Sequence, residues 1–376
     1  MSKPDSPLRT PICDLLHIDH PIIQSGMGRI AGPELVAEVC RAGGLGILAG
    51  LGVNGEELRK QIRRARELTD RAFGVNLWLH EQLLTPRQPS DVSDDDVRLV
   101  QDTLNQFRRR LNVPTTDQRP APFPDLIAEA IEVILEERVA VWSVGLGNPN
   151  ASVVERAHRA GIVVMAMVCT AEDARTVAAS GVDVIVAQGL EAGGHRSTWT
   201  KSSSPDAAGV STMTLVPQVV DAVSQPVVAA GGIADGRGLV AAIALGAAGA
   251  LLGTRFVATK ESMAPAMFKD ALLAATSEDT TITDAFTGLY ARALRNRFID
   301  EYAASGAPVL PSMLQSKAAE DVFMAAVKAN DPEYYPMPAG QIAGLIRTLP
   351  SAGDVVRTIV AEAEATLRRL SGARAS

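Results

Sequence analysis

Short apolar runs alternate with amphipathic stretches along most of this chain. Residues 21–27, 45–49, 72–78, 139–144, 162–168, 183–187, 226–230 and 250–254 are brief and dominated by Val, Ile, Ala, Leu and Gly. Runs of that length and composition suit strands covered on both faces, as in a parallel sheet. Between them lie helical patterns. Pro33 opens one over 34–42, since proline is tolerated in a first helical turn, and Gly43-Gly44 ends it. Another, over 56–68, sets Leu58, Ile62, Ala65 and Leu68 on one face. Further helices are expected over 126–137, from 151, over 171–180, 215–223 and 238–245.

Where nothing is inserted, the strands recur about every 21–27 residues, the spacing of a βα repeat. Eight such units predict an α/β fold of the (β/α)8 TIM barrel type rather than an open doubly wound sheet. No G-x-G-x-x-G follows the first strand, which further weakens a dinucleotide-binding frame. The barrel is expected over residues 1–256, with a helical insertion after strand three at about 80–124. In that insertion Val97, Val100, Leu104, Phe107 and Leu111 fall at helical spacing, and prolines around 114 and 120–124 close it. Residues 257–338 predict a smaller helical subdomain on the substrate side, with helices over 265–275, 284–303 and 316–329. Residues 339–376 predict helices, 342–347 and 355–370, that return to close the eighth unit. The loop after His195 is long and polar through Lys201-Ser202-Ser203-Ser204, a composition open to motion.

Composition narrows the partners. A net charge of −7 argues against nucleic acid, which calls for a basic face. The clusters Arg63-Arg64-Ala65-Arg66 and Arg108-Arg109-Arg110 lie within helical patterns and read as solvated faces. Three cysteines without paired spacing suit a reducing compartment and leave no zinc knuckle or redox dithiol. No signal peptide is visible, and the longest apolar stretch falls short of the roughly 20 residues that span a bilayer. A cytoplasmic protein with no membrane contact is expected.

In a barrel of this kind the chemistry sits at the carboxyl ends of the strands, often with a phosphate site after strands seven and eight. Strand seven ends in Gly231-Gly232 and strand eight in Leu251-Leu252-Gly253-Thr254, turns whose amides can hold a phosphate. Asn76 and Gln188 end strands three and six, where an amide can pair with the ring system of a flavin or nucleotide or cap the next turn. Met27 follows strand one and packs there unless a planar ring covers the turn. Beyond Gln188, Gly193-Gly194 precede His195, alone among five histidines in lying at a strand's carboxyl end within a glycine-rich loop. No metal-ligand spacing includes it, so a general acid/base role is expected.

With these residues assembled, the chain resembles the nitronate monooxygenase family, formerly the 2-nitropropane dioxygenases. The resemblance rests on Pro21-Ile22-Ile23-Gln24 with Met27, Ala42 through Gly46, Gly74-Val75-Asn76-Leu77, Gln188 through His195, Ala229 through Asp235, Gly253-Thr254-Arg255-Phe256 and Arg292 through Phe298. It implies an FMN-dependent oxidoreductase that converts alkyl nitronates and O2 to a carbonyl compound and nitrite. It further implies contacts to FMN from Asn76, Gln188, Gly193, Gly232 and 251–254, which join Met27, Gly194 and Gly231 as cofactor-site candidates, and His195 as the catalytic residue. The small-molecule partners are then a nitronate or nitroalkane and O2. Use of NAD(P)H and assembly as a homodimer stay open. Gly26 stands where the family usually has proline, and Leu251 where it commonly has glutamine. The alternatives are an FMN-dependent enoyl-thioester or NADH:quinone reductase on the same frame, and a non-catalytic barrel that binds FMN or a phosphate metabolite.

Overall fold

Eight parallel strands close into a barrel in the computed structural model, which describes residues 7–199 and 209–372. The strands are β1 (Ile22–Gln24), β2 (Ile47–Ala49), β3 (Gly74–Leu79), β4 (Val141–Gly147), β5 (Val163–Val168) and β6 (Val184–Gln188), with β8 (Val227–Ala230) and β9 (Gly249–Leu252), while the short β7 (Gly194–His195) belongs to a second sheet. They pair in the order β1-β9-β8-β6-β5-β4-β3-β2, and a parallel bridge from Ile23 to Leu45 joins the two ends. The polar run Lys201–Ser204 lies outside the described residues.

Alternation along each strand builds two layers. Ile23, Ile47, Val141, Met165, Val184, Val186, Val228 and Leu251 fill the barrel's inside. The short helix Pro11–Leu15 plugs the amino end of the barrel, where Ile12, Cys13 and Leu16 join that cluster. The intervening residues, such as Val75, Leu77, Val144, Val164, Ile185, Ala187 and Ala229, face outward against the helices. Helix starts are fixed by side chains that satisfy first-turn amides. Asn54 accepts from Glu57 N, Ser93 from Asp96 N, Thr170 from Asp173 N, and Asp235 from both Arg237 N and Gly238 N. The last helix, Ala352–Gly372, packs on Gly236–Ala244 and Pro33–Arg41, and sinks Val355, Val356, Ile359 and Ala363 into the outer core.

The expected helix over 284–303 is a different structure. Strands β10 (Thr280–Thr283) and β11 (Ala291–Leu294) form an antiparallel hairpin, and only Arg297–Ser305 is helical. The Thr-rich run before it favours extended backbone. Asn296 accepts from Ile299 N and so fixes the later helix start. Similarly, 316–329 divides into Leu314–Ala318 and Glu320–Ala329, and 342–347 contains one 3-10 stretch, Gln341–Leu345.

Residues from the segment after β3 and from the segment after β9 share one core. Val97, Val100, Leu104 and Phe107 from the helix Asp94–Arg110 pack with Phe286, Phe298, Tyr302, Leu314, Val322 and Phe323. Arg108, itself buried, ties them together. Its guanidinium donates to Asp321 at 2.7 and 3.2 Å, to Gln101 Oε1 at 2.8 Å and to the Ala318 carbonyl at 2.8 Å. Among the described residues no helix is long and apolar enough to cross a membrane.

Candidate active site

The inward parity of the strands, carried one step past the apolar core, delivers the site. Asn76 and Trp78 on β3, Ser143 and Gly145 on β4, Met167 on β5 and Gln188 on β6 all reach one cavity at the barrel's carboxyl end. Met27, Gly193, Gly194, His195, Gly231, Gly232, Leu251, Leu252, Gly253 and Thr254 line the same cavity, so every sequence-predicted site residue converges there. Much of the remaining wall is apolar, with Ile30, Leu51, Leu146 and Ile342. Among the described residues Glu191 is the one acidic side chain on it. Its carboxylate is engaged by the Thr212 amide and hydroxyl, each at 2.9 Å.

The loop carrying the histidine is held from two directions. Gln188 Nε2 donates to the His195 carbonyl at 2.8 Å, and its Oε1 accepts from Ser197 N at 2.9 Å and from Cys169 Sγ at 3.3 Å. Its amide therefore secures the loop as well as lining the cavity. From the other side, Gly194–His195 form a two-residue strand, β7, added antiparallel to β11. Arg292 on β11 donates Nε–H to the Leu190 carbonyl at 3.0 Å and a further N–H to Thr280 Oγ1 at 3.1 Å. Close contact demands glycine at 193: a Cβ there would lie 2.4 Å from Gly340 N and 2.5 Å from the Ala339 carbonyl carbon.

His195 Nε2 lies 2.7 Å from Thr287 Oγ1. Trp78 stands edge-on to the imidazole with ring centroids 4.7 Å apart. Burial pushes the His195 pKa down to about 4, and the nearby His80 pushes it the same way. The ring is consequently neutral near pH 7 and able to accept a proton. His80, read from the sequence only as the start of the insertion, is fully buried; its Nδ1 accepts from Gln82 N at 3.2 Å.

The opposite wall suits an anion. Gly231 and Gly232 take φ of +95° and +72°, a conformation that glycine alone adopts cheaply. Among the described residues the amides of Gly232, Gly253 and Thr254 donate to no group, while Thr254 Oγ1 accepts from Gly340 N at 2.9 Å. A Cβ on Gly28 or Gly194 would meet nothing within 4 Å, and on Gly232 or Gly253 nothing nearer than 3.6 or 3.5 Å. These glycines thus face open space that a ligand can enter. Asn76 donates to the Gly26 carbonyl at 3.2 Å, and its Oδ1 makes no hydrogen bond among the described residues. Gly26 permits that approach, because a Cβ there would sit 2.3 Å from Asn76 Cβ. No cluster of His, Cys, Asp and Glu among the described residues could hold a metal ion.

A model of the nitronate monooxygenase family matches residues 9–362. This chain belongs to the nitronate monooxygenase family. A probable nitronate monooxygenase of Staphylococcus aureus strain JH9 is 36% identical over 354 residues, which span 93% of this chain and 96% of that one. The nitroalkane oxidase of Streptomyces ansochromogenes superposes with a TM-score of 0.85 at 36% identity, covering 96% of this chain and 99% of its own. FabK from Thermotoga maritima superposes at 0.75 and 32% identity, with coverage of 97% and 99%. The nitronate monooxygenase family is one of oxidoreductases, and this member places His195 at the mouth of its barrel. Sequence reasoning missed several residues here, among them Trp78, Ser143, Thr287 and His80. Trp78 and Ser143 could have been found by continuing the alternation of β3 and β4. For Thr287 and His80, which act on His195 from outside its own loop, no sequence pattern pointed to the site.

Proposed function

We propose that this family member binds FMN across the barrel rim and oxidises alkyl nitronates with O2, giving a carbonyl compound and nitrite. The observation that carries the reading is the meeting, in one largely apolar cavity, of a neutral imidazole and a set of unused backbone amides. Those amides, at Gly232, Gly253 and Thr254, fit the phosphate of FMN. Asn76 Oδ1 fits the polar edge of its ring system, and Met27 and Gly193-Gly194 would border it. Bound there, FMN would supply the electron chemistry that no side chain of the cavity can. His195 would remove the α-proton of a neutral nitroalkane, and once protonated would hold the anionic nitronate. Trp78, Leu51, Leu146 and Met167 would keep water away and strengthen that pairing.

The test is anaerobic mixing of the purified protein with ethylnitronate, NADH and NADPH in parallel. Rapid bleaching of the yellow colour by the nitronate, and not by the nicotinamides, is expected. Bleaching by NADH or NADPH alone would instead support the reductase on the same frame, and a colourless protein that takes up no FMN would end both readings. His195→Ala is expected to keep the colour and lose turnover by roughly 10²–10⁴-fold. Absence of any turnover in the parent enzyme would leave the non-catalytic barrel.

A further inference from the structure

Thr287 belongs to the C-terminal subdomain, in the turn between β10 and β11, yet its hydroxyl is the one hydrogen-bond partner of the His195 ring among the described residues. The turn is built to present it. Gly288 takes φ of +87°, and a Cβ there would come within 2.6 Å of the Leu310 carbonyl oxygen and 2.8 Å of Ser312 N. Thr287's own carbonyl accepts from Met313 N at 2.8 Å. Met313 is itself left-handed, with φ of +66°, a conformation costly for a side chain of that size and retained only where packing enforces it.

Counting hydrogens around Thr287 Oγ1 decides the state of the imidazole. The hydroxyl has one hydrogen and two lone pairs. Leu289 N lies 3.4 Å away and can only donate to it; the Leu289 carbonyl lies 3.3 Å away and can only accept. When the hydroxyl donates to that carbonyl, its remaining lone pair is filled by an Nε2–H of His195, and every group is satisfied. When it donates to Nε2 instead, the Leu289 carbonyl loses its partner. The first arrangement makes one hydrogen bond more and so favours the Nε2–H form. Nδ1 then carries the free lone pair, and it makes no hydrogen bond among the described residues.

We propose that Thr287 is a positioning residue that holds His195 as its Nε2–H tautomer, so that Nδ1 is the atom that takes the α-proton of a neutral nitroalkane. This rests on the reading of His195 as the catalytic base. In the step, the Cα–H bond breaks and its electron pair moves onto the nitro group, making the nitronate. The proton bonds to Nδ1, and the resulting imidazolium is steadied through Nε2–H to Thr287 Oγ1. A nitronate supplied ready-made needs no such transfer.

Two measurements test this. ¹⁵N spectra of histidine-labelled protein, with His195 assigned by its absence in His195→Gln, read the tautomer without any turnover. The parent protein should show a protonated Nε2 and a bare Nδ1; Thr287→Val, which keeps the shape and loses the hydroxyl, should show a mixture; and Thr287→Ser should restore the parent pattern. In steady-state assays Thr287→Val should lower kcat/KM for nitroethane by roughly 10-fold or more and for ethylnitronate by under 3-fold, with Thr287→Ser recovering most of the loss. A bare Nε2 in the parent protein overturns the proposal. So does an unchanged tautomer in Thr287→Val, or an equal loss on both substrates. Should the parent protein fail to oxidise either substrate, the proposed function falls, while the spectra still decide the tautomer.

Discussion

Acid should unfold this protein partly through His195, and the size of the effect follows from the site. The imidazole's ordinary pKa is 6.5, and in the fold it lies near 4, because burial disfavours the cation and His80 adds like-charge repulsion. A folded value below the unfolded one means that between pH 6.5 and 4 the unfolded chain binds a proton that the native state refuses. Stability is therefore full above pH 6.5, falls as the pH drops through that window, and levels off below about 4. At about 1.36 kcal/mol per pKa unit the gap amounts to about 3 kcal/mol, trimmed to about 2–3 kcal/mol because the ring keeps an open side on the cavity. His80 and His20 are also pushed down, chiefly by burial, and add in the same direction. Urea unfolding of the cofactor-free protein at pH 7 and pH 4.5 measures the sum, and the same pair of curves for His195→Gln isolates this residue. The variant should lose less stability between the two pH values than the parent, by about 2 kcal/mol. Equal losses in the two proteins would refute the account of His195 as a histidine held neutral by its surroundings.

Three further substitutions probe the frame around it. Gly193→Ala drives a methyl against the backbone of Ala339 and Gly340, so flavin retention, read by absorbance after gel filtration, should fall at least tenfold, with about 1–3 kcal/mol lost in a urea melt. Gly26→Ala puts a methyl 2.3 Å from Asn76 Cβ and 2.9 Å from the Leu48 carbonyl oxygen; it should weaken FMN binding, measured by flavin fluorescence quenching, and cost about 1–3 kcal/mol by urea unfolding at pH 7. Arg108→Met strands the Ala318 carbonyl and the Gln101 amide oxygen and leaves Asp321 without its ion-pair partner, and should cost about 2–3 kcal/mol by urea unfolding while FMN binding holds.

The barrel was legible in the sequence because its signal is local and repeated. Each strand is a short apolar run bounded by glycine or polar residues, and several helices carry their own cap and stripe. The glycine turns and His195 were legible for a related reason, since strand direction fixes which end of a parallel barrel carries chemistry. The segment 284–303 misled because its local residues are compatible with a helix, while pairing decides otherwise. β11 is extended since it has β10 on one side and the Gly194–His195 strand on the other. That partner arrives from about a hundred residues upstream, and no window of sequence contains it.

What the chain determined by itself was the number and order of its βα units, the rim on which they end, and the residue types gathered there. What only the tertiary structure decided was the condition of those residues. Gln188 holds a loop as well as facing the cavity, His195 is neutral beside a second buried histidine, and its ring is met by a threonine 92 residues downstream. Periodicity reports which face a side chain takes. Protonation, hydrogen-bond partners and enclosure depend on atoms distant in sequence, and they exist only once the chain has closed around them.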